Sequence, residues 1–294
     1  MEKVLVTGSN GFIGKKLIER LRKDGVIVVE FSRNLGKNVI KGEDFKDLET
    51  VDTVFHLAAV SGYKDCSENI NLAYKVNVKG TVNVLEYCCQ VGAKLIFPST
   101  YVYDQPYEKI KTETDLIKPT TDYSFTKFLG EELCRFYSRV FKVNTLILRT
   151  SNVYGFGQED KYLVPKIFNH ILKNEEFVLT KPEIERSFIY IDDLVEAYIR
   201  LAESKTQPGQ VFNIGPEKPT TLQQLIEIIG QVTGETPKVN YAGIERPREV
   251  NLNRVDISKM IKTINWKPKT NLNTGLGLYL EPLISELKSS HHLQ

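Results

Sequence analysis

The sequence predicts an α/β protein with a doubly wound parallel sheet and a smaller C-terminal α/β lobe. In the first half of the 294-residue chain, short apolar runs alternate with segments whose apolar residues recur at helical intervals. Near-continuous apolar strands between amphipathic helices are typical of a parallel sheet that is covered on both faces. The first strand also runs directly into three glycines and then into a helix.

Strands and helices alternate regularly as far as residue 151. The predicted strands are the segments VLVTG, VIVVEFS, DTVFHLAA, KLIFPST and VNTLILRTS. The predicted helices are FIGKKLIERLRKDG, NVKGTVNVLEYCCQVG and YSFTKFLGEELCRFYSRVF. Because crossovers between parallel strands are right-handed, this alternation predicts helices on both faces of one sheet.

The alternation becomes less regular after Gly155. A predicted helix (KYLVPKIFNHILKN) and a short strand (EFVLTK) come first, followed by the helix DDLVEAYIRLAES and the apolar strand QVFNIG. Prolines interrupt the pattern from Pro216 onward. We therefore expect one domain of residues 1–155 plus about 186–215, and a smaller lobe of about residues 156–185 plus 216–294.

The composition is that of an ordinary globular protein, with 41% apolar residues, 26% charged residues and a net charge of +2. This balance gives no basis for binding to nucleic acid or to an anionic membrane surface. No apolar run approaches the ~20 residues that span a bilayer, and the segment MEKVLVTG lacks the pattern of a secretory signal. The four cysteines lack metal-ligand spacing, so we expect no metal site and a cytoplasmic protein with reduced thiols.

Gly8, Gly11 and Gly14 are spaced three residues apart at the end of the first predicted strand. In a doubly wound sheet, the first glycine permits a tight turn, the second lets the backbone approach a pyrophosphate, and the third lets the helix pack against the strand. Unpaired amides at the start of the helix then bind the phosphates. The pattern predicts a dinucleotide-binding site at this turn.

The spacing G-x-x-G-x-x-G resembles that of the short-chain dehydrogenase/reductases, in particular their extended branch, which acts on nucleotide sugars. Further similarities extend over nearly the whole chain, in the segments FHLAA, NVKGTVNVLE, LRTSNVYG, RSFIYIDD, ERPREV and INWKP. The resemblance implies a Rossmann domain that binds NAD or NADP and a C-terminal lobe that binds a nucleotide-diphosphate sugar. It also implies a homodimer, built from the helices that contain TVNVLEYCCQ and FLGEELCRFYSRVF.

The end of the second strand selects between the two cofactors. Relatives that use NAD usually carry an aspartate where this chain has Ser32, eighteen residues after Gly14 and followed by Arg33. A hydroxyl and a guanidinium suit a 2′-phosphate, which favours NADP. Glu30 lies nearby, but we expect strand alternation to keep its carboxylate out of reach.

The other binding residues are implied by the resemblance. For the cofactor they are Phe12, Ile13, Leu57, Ala58, Ala59, Asn77, Tyr123, Lys127 and Thr150. For the substrate they are Ser99, Tyr123, Asn152, Arg186 and Arg246, of which the last three would contact the diphosphate. Arg248 and Glu249 depart from the family pattern beside Arg246.

The catalytic residues are predicted in two segments. YSFTK places Tyr123 and Lys127 four residues apart on one face of a helix. A tyrosine at its usual pKa of ~10 is a poor base at neutral pH, and a close ammonium group lowers that pKa because it stabilises the phenolate. In the family, a catalytic hydroxyl lies three positions before the valine of VYG, which corresponds to Ser99, with Thr100 beside it. Pro98 and Asp104 depart from that motif.

The resemblance implies reversible hydride transfer at C4 of the sugar, with the phenol of the tyrosine moving the proton. Thr100 and Tyr101 stand where sugar dehydratases carry an Asp-Glu pair, which argues against a 4,6-dehydratase. The principal hypothesis is a UDP-sugar 4-epimerase, which returns the hydride within one turnover. The alternatives are an NADPH-dependent nucleotide 4-keto-6-deoxysugar reductase, which Ser32 and Arg33 favour, and a non-catalytic regulator that senses dinucleotides.

Overall fold

The computed structural model describes residues 1–101, 110–179, 181–242 and 254–291. Its strands are β1 (Lys3–Thr7), β2 (Ile27–Phe31), β3 (Thr53–His56), β4 (Lys94–Thr100), β5 (Thr145–Thr150), β6 (Asn152–Tyr154), β7 (Phe177–Leu179), β8 (Glu185–Arg186), β9 (Phe188–Tyr190), β10 (Gln210–Ile214), β11 (Thr220–Thr221) and β12 (Val239–Tyr241). Its helices are α1 (Phe12–Lys23), α2 (Tyr63–Glu68), α3 (Ile70–Tyr74), α4 (Gly80–Val91), α5 (Asp122–Val140), α6 (Leu163–Leu172), α7 (Ile191–Glu203), α8 (Leu222–Thr233), α9 (Ser258–Ile264) and α10 (Leu272–His291).

Six strands form one parallel sheet in the order β2-β1-β3-β4-β5-β10. The chain moves outward from β1 to β2 and then returns to the other side of β1, so the strand order reverses between β1 and β3. Ligands bind at such a reversal, outside the carboxyl ends of the strands. The predicted doubly wound α/β fold is confirmed.

Strand alternation divides the apolar residues between two cores. On β5, Leu146 and Leu148 join the core under α1 and α7, whereas Ile147 between them joins the core under α4 and α5. A strand that is buried on both faces needs apolar residues at every position, which explains the near-continuous apolar runs of the sequence.

The rest of the chain forms short pairs of strands and helices beside the sheet. β7 pairs with β12, β8 with β11, and β6 with β9. The first core continues into this region, where it includes the side chains of Phe168, Leu225 and Leu276 from α6, α8 and α10. The division into two domains stays a prediction. Among the described helices, none is long and apolar enough to cross a membrane.

The helix predicted from residue 77 begins differently in the structure. α3 is followed by one π-helical segment, Lys75–Lys79, before α4 continues to Val91. A π-helical turn inserts one extra residue into the helical repeat and is frequent at functional sites.

Candidate active site

A cleft with a volume of about 470 Å³ lies at the carboxyl ends of β1, β3, β4 and β5, beside the start of α5. This size suits a small-molecule site. It brings together most of the residues that the sequence predicts to be functional. They are Gly8, Gly11, Phe12, Ile13, Gly14, Leu57, Ala59, Ser99, Thr100, Tyr123, Lys127, Thr150 and Asn152.

The glycine turn is packed too closely for side chains. Gly8 has a φ of +70°, and a Cβ atom there would lie 2.7 Å from the amide nitrogen of Ala58. A Cβ atom on Gly14 would lie 2.3 Å from the carbonyl oxygen of Gly8. Gly8 therefore permits the turn beside β3, and Gly14 lets α1 start directly against β1. The amide of Gly11 donates to the Gly8 carbonyl at 3.0 Å, which closes the turn.

Two buried hydroxyls beside this turn indicate a missing polar ligand. In the described residues, neither Ser9 Oγ nor Ser32 Oγ has a hydrogen-bond partner, although both atoms are buried. Buried polar atoms are normally paired, and hydroxyls at a helix N-terminus next to a glycine turn suit phosphate and ribose oxygens. The residues present therefore fit a dinucleotide cofactor.

The residues predicted to select the cofactor lie at the end of β2. Glu30 lies outside the cleft lining and accepts a hydrogen bond of 2.7 Å from Arg22 on α1. Arg33 is exposed at the end of β2, and its guanidinium has no ion-pair partner in the part of the chain that the structure describes. Ser32 and Arg33 lie outside the cleft lining.

Tyr123 and Thr100 form the polar centre of the cleft. Thr121 and Ser124 form a capping box that starts α5 just before Tyr123. The Thr100 side chain hydrogen-bonds the Tyr123 hydroxyl. Burial raises the pKa of Tyr123 well above its usual range, with smaller contributions from Tyr162 and Cys66, and the bond to Thr100 opposes that rise. The phenol is therefore protonated in this arrangement and has a hydroxyl partner.

Lys127 lies one helical turn beyond Tyr123 and is fully buried by its neighbours. Burial lowers the pKa of Lys127 to about 8, and the carboxylate of Glu131 opposes the shift. Its Nζ atom lies 4.7 Å from the centroid of the Phe97 ring. Within the described residues, no hydrogen bond joins this ammonium group to the Tyr123 hydroxyl, and the electrostatic pairing of the two groups stays a prediction.

Ser99 has a different environment from Thr100. Its Oγ atom donates to Oε1 of Glu131 at 2.7 Å, where both residues are buried. The strand directs the two neighbouring hydroxyls differently, since successive side chains on a strand point to opposite faces. Thr100, rather than Ser99, hydrogen-bonds the phenol.

Asn77 lies in the π-helical segment and supports the site without lining it. Its Oδ1 atom accepts from the amide of Val60 at 2.8 Å, and its Nδ2 atom donates to Oγ1 of Thr126 at 3.0 Å. Thr126 Oγ1 in turn donates to the carbonyl oxygen of Tyr123 at 2.9 Å. The side chain therefore connects the loop after β3 to the first turn of α5.

Two of the predicted diphosphate residues, Asn152 and Arg186, lie near an aromatic side chain that sequence reasoning missed. Tyr101 follows β4, and its hydroxyl donates to Oδ1 of Asn152 at 2.6 Å. Burial raises the pKa of Tyr101 to about 12, and the nearby charge of Arg186 opposes the rise. Arg186 and Ala58 lie outside the cleft lining. Arg246 lies outside the described residues, as do Asp104, Arg248 and Glu249.

Other lining residues were also missed. Ser61 and Tyr162 join across the cleft by a hydrogen bond of 2.9 Å between their hydroxyls. Beside it, Lys161 forms an ion pair of 2.7 Å with Asp65. Ser61 and Tyr162 are 101 residues apart, so no local pattern signals their contact. Glu131 did have a signal, since an acidic residue four positions after Lys127 falls on the same helix face.

Comparisons with known proteins agree with this geometry. Residues 4–215 match the NAD dependent epimerase/dehydratase family. A putative UDP-glucose 4-epimerase of Methanocaldococcus jannaschii is 29% identical, over 93% of this chain and 95% of its own. UDP-glucuronic acid decarboxylase 6 of Arabidopsis thaliana is 31% identical, over 95% of this chain and 88% of its own.

A solved structure is similar over almost the whole chain. The UDP-glucose 4-epimerase of Thermotoga maritima, in complex with UDP-glucose, superimposes with a TM-score of 0.89 at 27% identity, over 97% of this chain and 99% of the other. The family match covers more than half of the chain, and it agrees with the glycine turn, the cleft and the tyrosine-lysine helix. The chain therefore belongs to the NAD-dependent epimerase/dehydratase family of nucleotide-sugar enzymes.

Proposed function

We propose that this chain is a UDP-sugar 4-epimerase that returns the transferred hydride to its substrate in each turnover. The relatives named above support this function, because two of the three are UDP-glucose 4-epimerases by name. The observation that carries the proposal is that Thr100, Tyr123 and Lys127 line one cleft together with the glycine turn.

The chemistry needs one proton-transfer group at the sugar hydroxyl. The bound nicotinamide cofactor supplies the hydride acceptor and donor. As the phenolate, Tyr123 would take the proton from the C4 hydroxyl during oxidation, and as the resulting phenol it would give that proton back after the ketose has turned over in the cleft. Thr100 Oγ1 holds the sugar oxygen beside that phenol. The charge of Lys127 favours the phenolate form of Tyr123. The ammonium group exerts this effect either from its position over the Phe97 ring or after moving away from that ring.

We assign the hydroxyl role to Thr100 on the basis of its bond to Tyr123. Ser99 also lines the cleft, but its Oγ atom donates to Glu131. The family motif favours Ser99. That motif identifies a position in the sequence, but it does not specify the direction in which the side chain at that position points.

The cofactor and the substrate would be held by separate groups of residues. Gly8, Gly11 and Ser9 at the first turn would hold the cofactor diphosphate, and Ser32 the adenosine ribose. We propose that the lobe of residues 156–185 and 216–294 binds the nucleotide. Asn152, fixed by Tyr101, would then contact the substrate diphosphate together with Arg186.

The test is a substrate panel with purified enzyme. UDP-glucose, UDP-N-acetylglucosamine and UDP-glucuronic acid are each incubated without added reductant, and proton NMR of the anomeric region identifies the products. The 4-epimer should accumulate to equilibrium, and Tyr123→Phe should abolish its formation while cofactor binding remains. Release of CO₂ from UDP-glucuronic acid, with a pentose product, would instead identify a decarboxylase like the Arabidopsis relative.

A 4-keto reductase is the second candidate, since no acidic residue opposes a 2′-phosphate at Ser32 and Arg33. The two functions differ in cofactor stoichiometry. A reductase consumes one NADPH for each product, which the absorbance at 340 nm measures, whereas an epimerase turns over with no net change. Consumption of NADPH in proportion to a reduced sugar would replace the epimerase proposal.

The helical stripe formed by Phe125, Phe136 and Val140 of α5 supports a homodimer. These side chains are between 41% and 49% exposed, and their spacing places them on one face of the helix. We propose that a second copy covers this stripe. Light scattering after size-exclusion chromatography should give twice the mass of 33.6 kDa, and Phe136→Glu should reduce it to that of one chain.

A further inference from the structure

We propose that Glu131 is a positioning residue, whose buried carboxylate fastens the catalytic helix α5 to the ends of β4 and β5. This would set the relative positions of Tyr123, Lys127 and Thr100. The proposal rests on the epimerase function proposed above and adds a residue to it. The carboxylate acts through other residues, since Glu131 does not line the cleft.

The carboxylate is completely enclosed and strongly bound. Glu131 is 0% exposed. Arg149 of β5 donates to it with Nε at 3.1 Å and with Nη2 at 2.9 Å, which is the fork geometry of a strong arginine–carboxylate pair. Ser99 of β4 donates to it at 2.7 Å, and Arg135 of α5 at 2.9 Å. One side chain of the helix thus binds both strands.

The register of β4 and β5 explains why the bonds of Glu131 to Ser99 and Arg149 affect the cleft. Ser99 lies opposite Arg149 in the sheet, and the next pair is Thr100 opposite Thr150. The first pair points to Glu131. The second pair points to the cleft, where Thr150 lies 2.9 Å from the hydroxyl of Tyr198. A shift of the first pair therefore moves the second pair, because adjacent residues share a backbone.

The spacing of residues on α5 also connects Glu131 to the two catalytic side chains of that helix. Tyr123, Lys127 and Glu131 follow one another at intervals of four residues, so they lie on one face of α5, about 6 Å apart along its axis. A rigid helix transmits a displacement of Glu131 to both catalytic side chains.

Electrostatics add a readout that is independent of turnover. Lys127 is faced by His56 of β3, Cys66 of α2, and Cys134 and Glu131 of α5. Burial lowers the pKa of Lys127, and among these groups the carboxylate is the one anion at neutral pH, since burial raises the pKa of Cys66 to about 11 and that of Cys134 further. Removing the carboxylate charge should therefore lower the pKa of Lys127.

The experiment compares three variants of the full-length protein with the wild type. Glu131→Gln removes the charge and keeps the shape. The double variant Glu131→Leu/Arg149→Leu replaces the buried pair with apolar residues, a change that is often neutral or stabilising for the fold. Glu132→Gln is the matched control, because Glu132 is the next residue, also pairs with Arg135, and is half exposed. The readouts are kcat and KM for the UDP-sugar, the Tm, and the pKa of Lys127 from ¹³Cε NMR, assigned with Lys127→Met.

We expect kcat to fall by about 10- to 100-fold in both Glu131 variants, with KM changed less than about threefold, since displacements near 1 Å cost rates of that order. The pKa of Lys127 should fall by about one unit in Glu131→Gln. The double variant should have a Tm close to that of the wild type and a kcat that stays low. If the double variant instead recovered kcat together with the Tm, Glu131 would have only a structural role, and the proposal would be overturned.

Two further outcomes are decisive. If Glu131→Gln does not fold, the double variant alone decides between positioning and stability. If the wild type turns over none of the UDP-sugars, the epimerase proposal fails, and the Lys127 titration still tests the contact between Glu131 and the catalytic helix. An unchanged pKa of Lys127 in the folded variants would then contradict the inference.

Discussion

The Nδ1 atom of His56 lies 2.7 Å from the hydroxyl of Thr7 at the floor of the cleft. Its Nε2 atom lies 3.1 Å from the hydroxyl of Thr81. Thr81 donates its proton to the carbonyl of Asn77 at 2.7 Å, so it accepts from Nε2. Burial keeps the ring neutral. With its proton on Nε2, Nδ1 accepts from the Thr7 hydroxyl, which itself accepts from the amide of Ala58 at 3.3 Å. The ring is therefore an Nε2–H tautomer that joins β1 to the first turn of α4.

Because His56 is neutral when folded, stability should depend on pH. Burial and the charge of Lys127 lower the pKa of His56 to about 3. Above its unfolded value of ~6.5 the imidazole is neutral in both states, and the full stability is present. As the pH falls below 6.5, the unfolded chain binds a proton that the folded chain rejects. The free energy of unfolding should fall by about 1.4 kcal/mol per pH unit from this residue, until the pH nears 3.

Urea unfolding at pH 7, 6 and 5 measures this slope. His56→Asn keeps an acceptor for Thr7 and removes the titrating group, so its stability should fall less steeply with pH than that of the wild type. His170→Asn is the control, since His170 lies on α6, outside the cleft lining, and its ring bonds the backbone carbonyl of Lys166. Equal slopes in the wild type and His56→Asn would show that the buried ring does not contribute.

The two hydroxyls at the end of β4 should have unequal effects on catalysis. Thr100→Val removes the group that hydrogen-bonds Tyr123 and keeps the side-chain shape, so kcat should fall by about 100-fold or more. Ser99→Ala removes a buried donor to Glu131 and should lower kcat by about tenfold or less. Steady-state kinetics of both variants measure the difference, and the reverse order would return the catalytic role to Ser99.

The alternation of apolar strands and amphipathic helices predicts the six-stranded sheet, because burial on both faces leaves a strong pattern in the sequence. The glycine turn and the pair Tyr123 and Lys127 were predictable for a similar reason, since each depends on local spacing. The choice between Ser99 and Thr100 depended on which face of β4 each occupies beside α5. That is a tertiary relationship between segments 32 residues apart, as the bond from Ser99 to Glu131 shows.

Other parts of the site had no local signal. The π-helical segment around Asn77 and the contact of Ser61 with Tyr162 arise from packing between distant segments. The position of Lys127 over Phe97 depends on the height of α5 above β4. Spacing alone predicts that a lysine shares a helix face with a tyrosine, but it does not predict what the ammonium group contacts.

The glycine turn predicts a steric effect with an internal control. In Gly14→Ala the new Cβ atom would lie 2.3 Å from the Gly8 carbonyl oxygen, so α1 must move away from β1. We expect a loss of about 1–3 kcal/mol in stability and much weaker binding of the cofactor. Gly277→Ala on α10 meets nothing within 4 Å and should be neutral or stabilising by up to about 1 kcal/mol. Thermal unfolding and cofactor titration distinguish the two; full cofactor binding by Gly14→Ala would contradict the assigned turn.

Arg33 should determine whether the enzyme tolerates a phosphate on the adenosine ribose. Its guanidinium is exposed and unpaired within the described residues, while the carboxylate of Glu30 accepts a hydrogen bond from Arg22 of α1. A charge-assisted contact contributes about 1.5–3 kcal/mol, so Arg33→Ala should weaken NADPH binding by about 10- to 100-fold and NADH binding by less than about threefold. Ser32→Asp should have the same selective effect, because its carboxylate repels the 2′-phosphate.

Fluorescence titration of cofactor-free protein with NADH and NADPH measures the affinities of the wild type and of both variants. If Arg33→Ala lost affinity for both cofactors equally, the guanidinium would contact the diphosphate or adenine that the two cofactors share. If the wild-type protein bound NADH but not NADPH, Arg33 would have no part in the selection of the cofactor.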